Sequence, residues 1–284
     1  MLFKLKKPVT AYQISEILGI KYSGRNVEIE NISSLSYMKE SCLAFSIDSV
    51  SDISEYNLVI GASRDSLSDN YLSSNRPRLD FIRVLGWLKK NDYLQKRECG
   101  KVHNDACIHP NSIVDKGAQI GRGCMVGPFS YIGSNVVMGE NICIGSSVSI
   151  GHEGFGYERD ENDIPIHFPH LADVIIESEV VIGNNCTLSC GNLENTHIAS
   201  HVKIDDHVYI AHNVQIGMKT MIMSGVHCNG SVRIGEKCWV GTGALIREGI
   251  TVESESIIGM GSVVINNVTA GETVYGNPAR SRGI

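Results

Sequence analysis

The sequence predicts a mainly β chain: a parallel β-helix over residues 101–265, a small α/β domain ahead of it over 1–100, and a short C-terminal tail over 266–284. The decisive observation is a large aliphatic residue at every sixth position, through Ile108, Val114, Ile120, Val126, Ile132, Met138, Ile144 and Ile150. The register breaks, resumes at Ile176, Ile182 and Leu188, and after a short insertion runs from Ile198 through Ile210, Cys228 and Ile246 to Val264. Two positions before the aliphatic a small or β-branched residue is frequent, as at Ala118, Cys124, Ser130, Val208 and Ala244, and the first hundred residues lack the pattern.

Each hexad reads as one short strand and a corner, so three hexads of six residues close a triangular coil of 18. Coils stack at the interstrand spacing of about 4.8 Å. The aliphatic and its small partner both point inward, and because one coil cannot bury that face alone, neighbours must stack. Gly follows the aliphatic at Gly121, Gly127, Gly133, Gly139, Gly145, Gly151, Gly183, Gly217, Gly235, Gly241 and Gly259, which reads as a corner that demands positive φ. The repeat places Cys124, Cys186, Cys228 and Cys238 in the core. Two departures interrupt it: a long excursion over 151–175, where function often resides, and about four extra residues near 191–196.

Ahead of the repeat, residues 9–18 read as an amphipathic helix, 27–32, 43–45 and 59–60 as strands, the last followed by Ala62-Ser63-Arg64, and 78–90 as a second helix. Phe81, Val84, Leu85 and Leu88 share one face of that helix.

The bulk properties exclude several function classes. A formal net charge of -6 over 284 residues favours neither nucleic acid nor an anionic membrane surface. No apolar stretch approaches the roughly 18 residues of a membrane span, and no apolar core follows the basic start, so a cytoplasmic location is expected. The nine cysteines include no C-x-x-C pair, and Cys186, Cys190, His197 and His201 are spaced too closely for a zinc finger. His167 and His170 alone make a weak metal site, so no metal is expected.

His212, in Tyr209-Ile210-Ala211-His212-Asn213-Val214, is the leading candidate for acid–base chemistry. It falls just past a corner and faces outward, and imidazole, with an ordinary pKa of about 6.5, suits removal of a proton from an amine attacking a thioester. One coil later, 212 plus 18, stands Gly230, whose N–H could hold an oxyanion close to the backbone. Asp205, seven residues before His212, is a candidate to orient the imidazole or to serve as a corner residue. A surface histidine at a corner and a glycine that eases a turn are the plainer alternatives.

The stretch from Ile204-Asp205-Asp206-His207 through Ile210-Ala211-His212-Asn213 to Ile216-Gly217 resembles the active-site coil of the UDP-3-O-(3-hydroxyacyl)glucosamine N-acyltransferases, within the hexapeptide-repeat acyltransferases. Gly154-Phe155-Gly156-Tyr157 resembles the opening of that family's long loop, and Ser33-Ser34-Leu35 with Leu43-Ala44-Phe45-Ser46 is similar to its uridine-binding domain. The resemblance implies a left-handed parallel β-helix, a homotrimer, and no bound cofactor. It implies His212 as general base, Asp205 as its supporting carboxylate and Gly230 as oxyanion donor, with Phe45, Phe155, Gly156, Tyr157 and Asn213 toward a nucleotide-linked amino sugar. The ending Gly276-Asn277-Pro278-Ala279-Arg280 resembles transferases that use a short acyl-CoA, so Arg280 and Arg282 are candidates for coenzyme phosphates. An acyl carrier protein as donor, in lipid A synthesis, is the nearest alternative. A γ-type carbonic anhydrase using His207, His212 and His227, and a non-catalytic assembly protein, are the others.

Overall fold

The computed structural model describes residues 2–48, 53–62, 70–95 and 99–281. The chain divides into two compact units: Met1–Lys96 with Phe155–Leu171, and Arg97–Gly154 with Ala172–Ile284. Among the described residues no helix is long and apolar enough to cross a membrane.

The first unit is a five-stranded sheet with two helices. Its strands, β1 (Leu2–Thr10), β2 (Glu28–Ser33), β3 (Cys42–Ser46), β4 (Leu58–Gly61) and β5 (Tyr71–Ser73), lie side by side in chain order. The first pair is antiparallel and the rest are parallel. Both edge strands, β1 and β5, escape a reading from pattern. β1 carries Lys4, Lys6, Lys7 and Pro8, a composition that suits an edge rather than a sheet centre. Helix α1 (Ala11–Leu18) therefore starts later than the pattern suggests. Thr10 caps it, with a reciprocal bond to Gln13, and Gly19 closes it at φ 64°. Helix α2 (Pro77–Lys90) buries Phe81, Val84, Leu85 and Leu88 as their spacing requires, together with Leu79 and Ile82. Of Ala62-Ser63-Arg64, the last two lie outside the described residues.

The excursion contributes a hairpin to this unit, Tyr157–Arg159 against Pro165–His167. Its turn is closed by Asp160, whose carboxylate accepts the N–H groups of Asn162 (2.9 Å) and Ile164 (2.8 Å). Glu158 meets Arg76 and Arg78, and Glu161 meets Arg83, so acidic residues of the hairpin face basic residues of α2.

The second unit is a parallel β-helix with three faces, sheets of eight, seven and ten strands, the ten-stranded one including the two short strands of the tail. Partners are 18 residues apart along most of its length, as in Ile210 beside Cys228 and Cys228 beside Ile246. Across the long excursion the offset is 38 (Ile150 beside Leu188), and across the short insertion it is 22 (Leu188 beside Ile210). The inward aliphatics form one continuous core, with Cys124, Cys186, Cys228 and Cys238 buried in it.

The glycine column has a different cause from the one its composition suggests. Of those that follow an aliphatic, Gly151 has positive φ, whereas the rest of the column does not. Left-handed backbone occurs instead two residues further on, at Asn141, Ser147, Asn185, His207, Asn213, Lys219 and Ser231 among others. The column is glycine because successive coils touch there. A Cβ on Gly127 would stand 2.7 Å from Gly145 O, one on Gly217 2.5 Å from Gly235 C, and one on Gly241 2.7 Å from Met260 N.

Gly217→Ala is thus expected to cost about 1–3 kcal/mol, since backbone must move to admit the methyl, and a lowered Tm would show it. Burial raises the Cys124, Cys186 and Cys238 thiols and pushes Cys190 and Cys228 up to about 12. Native alkylation at pH 8, read by peptide mass spectrometry, should therefore label the exposed Cys99 and Cys107 long before these five.

Candidate active site

One edge of the β-helix, where the eight-stranded face turns into the seven-stranded one, collects every departure from regularity. The long excursion leaves it after Ile150 and the short insertion after Leu188. On the next two coils the same edge bears His212, after Ile210, and Gly230, after Cys228.

His212 is half-buried and lies directly against Gly230. A Cβ on Gly230 would come within 2.7 Å of the imidazole Cε1 and 2.8 Å of Nε2. The glycine therefore makes room for the ring and lets a reacting group approach the backbone. Among the described residues the coil ladder uses the N–H groups on either side, from Asn229 to Ile246 O and from Ser231 to His212 O (2.9 Å). The Gly230 N–H is the one between them.

Asn213 is buried, adopts φ 62° and surrounds the imidazole with fixed dipoles. Its Oδ1 lies 3.1 Å from His212 Nδ1 and accepts the N–H of Asn192 (3.1 Å). Its own N–H donates to Thr196 Oγ1 (3.0 Å) and its Nδ2 to Asn192 Oδ1 (2.8 Å). Asn213 is thus in contact with the imidazole. Asp205 is exposed at the preceding corner, past the ten-stranded face, and its carboxylate accepts the Asp206 N–H at 2.8 Å. Seven residues are one hexad plus one, a step that carries the chain from one edge of the prism to the next.

Two positions on this edge escape the sequence reading. Asn192 sits inside the insertion, where no column exists to mark it. His152, two residues past Ile150, meets Ser189 Oγ at 3.1 Å through Nε2; among the described residues its buried Nδ1 has no hydrogen-bond partner, and burial lowers its pKa. Its place past an aliphatic, equivalent to that of His212, was the available signal.

The remaining candidates are placed as follows. In the first unit Phe45 is half-buried in an aromatic cluster, its ring 4.9 Å from Phe81 and 6.4 Å from Phe168. Phe155 is exposed, with its ring 4.8 Å from Tyr157. Gly156 lets the loop pass His170, since a Cβ there would lie 3.2 Å from His170 Cε1. Arg280 is exposed on a two-residue strand opposite Tyr275, and Arg282 lies outside the described residues. His207 and His227 are exposed, the latter with its ring 5.9 Å from Tyr209.

The family described as bacterial transferase hexapeptide (six repeats) matches residues 100–134 and 117–152. Both matches lie in the first coils of the β-helix. Over 72 residues, 25% of its length, the chain is 47% identical to a UDP-3-O-acylglucosamine N-acyltransferase of Coxiella burnetii, matching 21% of that relative. Over 133 residues, 46% of the chain, it is 50% identical to UDP-3-O-acylglucosamine N-acyltransferase 2 of Legionella pneumophila, matching 38% of it. The matches therefore span about a fifth to two-fifths of these curated relatives. Among solved structures, an Arabidopsis UDP-N-acetylglucosamine acyltransferase is similar over 65% of this chain and 74% of that one, with 21% identity and a TM-score of 0.49.

Gly230→Ala tests the contact at the centre of this edge. Its methyl meets a side-chain ring rather than backbone, so the fold should persist while the ring is displaced. The expected result is an unchanged far-UV circular dichroism spectrum with clearly shifted His212 imidazole resonances.

Proposed function

We propose that this chain is an N-acyltransferase that moves an acyl group from a thioester to the amine of a nucleotide-linked amino sugar. The observation that carries this is the imidazole of His212 set against the backbone of Gly230, with no side chain between them. His212 Nε2 takes a proton as the amine nitrogen attacks the thioester carbonyl. The carbonyl electron pair moves to oxygen, and the Gly230 N–H holds that oxyanion. Collapse re-forms the carbonyl, expels the thiolate and leaves the amide, and the imidazolium returns its proton to the sulfur. Asp205, exposed at another corner of the same chain, keeps the role of supporting carboxylate that the resemblance implies.

The names of the Coxiella and Legionella relatives support a UDP-linked acceptor. Phe45, Phe155, Gly156 and Tyr157 are assigned to the acceptor, with Asn213 beside the base. The donor is acyl-CoA, with Arg280 and Arg282 toward its phosphates. The second reading, with UDP-3-O-acylglucosamine as acceptor and acyl carrier protein as donor, is favoured by the relatives' printed acceptor. A homotrimer is supported by the outward column of the ten-stranded face, where Met125 and Val181 and, beyond Lys203, Met221, Trp239 and Ile257 are exposed apolar residues.

Mass spectrometry of products from UDP- and dTDP-linked amino sugars, offered with acyl-CoAs or acyl carrier proteins, tests the reading. His212→Ala should lower turnover by about 10²–10⁴-fold, the usual worth of a general base. Undiminished turnover in His212→Ala would remove the base from its role, and product only from a carrier protein would select the second reading.

A further inference from the structure

The short insertion does more than bridge two strands. Leu193 buries its side chain, and Asn195 and Thr196 tie the segment to the coil beneath it: Asp173 N–H donates to Asn195 Oδ1 (2.9 Å) and Thr196 N–H to Asp173 O (3.0 Å). Gln215 Nε2 donates to Asn195 O from the coil above (2.6 Å). Held on both sides, the insertion presents Asn192 to Asn213 through two bonds.

Those bonds determine the polarity of both amides, because each is read by a backbone N–H that cannot be reversed. The Leu193 N–H donates to Asn192 Oδ1 (2.6 Å), which makes that atom the oxygen. The Asn192 N–H donates to Asn213 Oδ1, which makes that one the oxygen as well. Turning either amide over would set donor against donor. The atom 3.1 Å from His212 Nδ1 is consequently an acceptor, and the nitrogen facing it carries hydrogen. In a neutral imidazole the other nitrogen then holds the lone pair. That other nitrogen, Nε2, is the one lying over Gly230.

We propose that Asn192, acting through Asn213, is a positioning residue that sets the tautomer of His212, with the proton on Nδ1 and the lone pair on Nε2 toward Gly230. Its value for catalysis rests on the reading of His212 as the base; the tautomer itself does not.

The test uses the full chain with ¹⁵N-labelled histidine and long-range ¹H–¹⁵N correlation, His212 being assigned by its loss in His212→Gln. Wild type should show Nδ1–H; a proton on Nε2 would overturn the proposal. Asn192→Ala removes the acceptor for Asn213 Nδ2 and leaves the backbone N–H of residue 192 to hold Asn213 Oδ1, so the spectrum should drift part of the way toward the other tautomer. There kcat should fall by about 3-fold or more with KM little changed, as when a base is held in the wrong tautomer. Asn192→Asp keeps an acceptor oxygen in place and should restore both. An Asn192→Ala protein with wild-type tautomer and kcat would overturn the role of Asn192, and so would failure of Asn192→Asp to restore a tautomer lost in a folded Asn192→Ala. Should acyl transfer survive His212→Ala while the spectra behave as stated, the functional reading fails and the positioning stands.

Discussion

Everything in the second unit depends on coil-to-coil register: each coil hands its backbone N–H groups to the coil 18 residues away, and the two must lie in near contact along the glycine column. That contact is what lets short strands of two or three residues persist. Alone, such strands bury too little to offset the ordering of the chain; stacked, they share one unbroken aliphatic core. Much of the cost lies at the corners, where non-glycine residues take left-handed backbone at roughly 1–2 kcal/mol each, offset by the ladder and the core.

How much of this the sequence discloses follows from what repeats. The hexad is periodic, so the β-helix, its inward residues and even the neighbourhood of His212 and Gly230 can be read by counting in eighteens. The glycine column could be seen but not explained, because close approach and left-handed backbone select the same residue. Only coordinates separate Gly217, wedged against Gly235, from Asn213, at φ 62°. Edge strand β1 was hidden by its own lysines, and the hairpin in the excursion by an acidic turn that resembles plain loop. Asp205 and His212 are seven apart, a separation that places two residues of one chain past different corners. Asn192 left no trace, because an insertion has no column to belong to.

The candidate site divides its labour accordingly. Regular coils supply the spacing that sets the His212 ring against the Gly230 backbone. Irregular segments supply chemistry that the repeat cannot make, such as an amide whose polarity is dictated from outside the coil. Both irregular segments depart from the one edge where His212 stands, so the scaffold concentrates variation there and leaves its other two edges plain.

The offsets of 38 and 22 carry a consequence for how such a chain can change its length. Each exceeds 18, by 20 and by 4, yet the aliphatic column re-emerges in phase on both sides. Added residues are expelled at a corner and never enter the wall, so the architecture counts coils rather than residues. Duplicating one whole coil beyond Gly230 would lengthen the prism by a single rung and leave the distance from His212 to Gly230 untouched. Deleting one hexad between them would instead turn the glycine a third of the way around the axis. Growth along the axis is therefore nearly neutral for this edge, while a change of a third of a coil within it is ruinous.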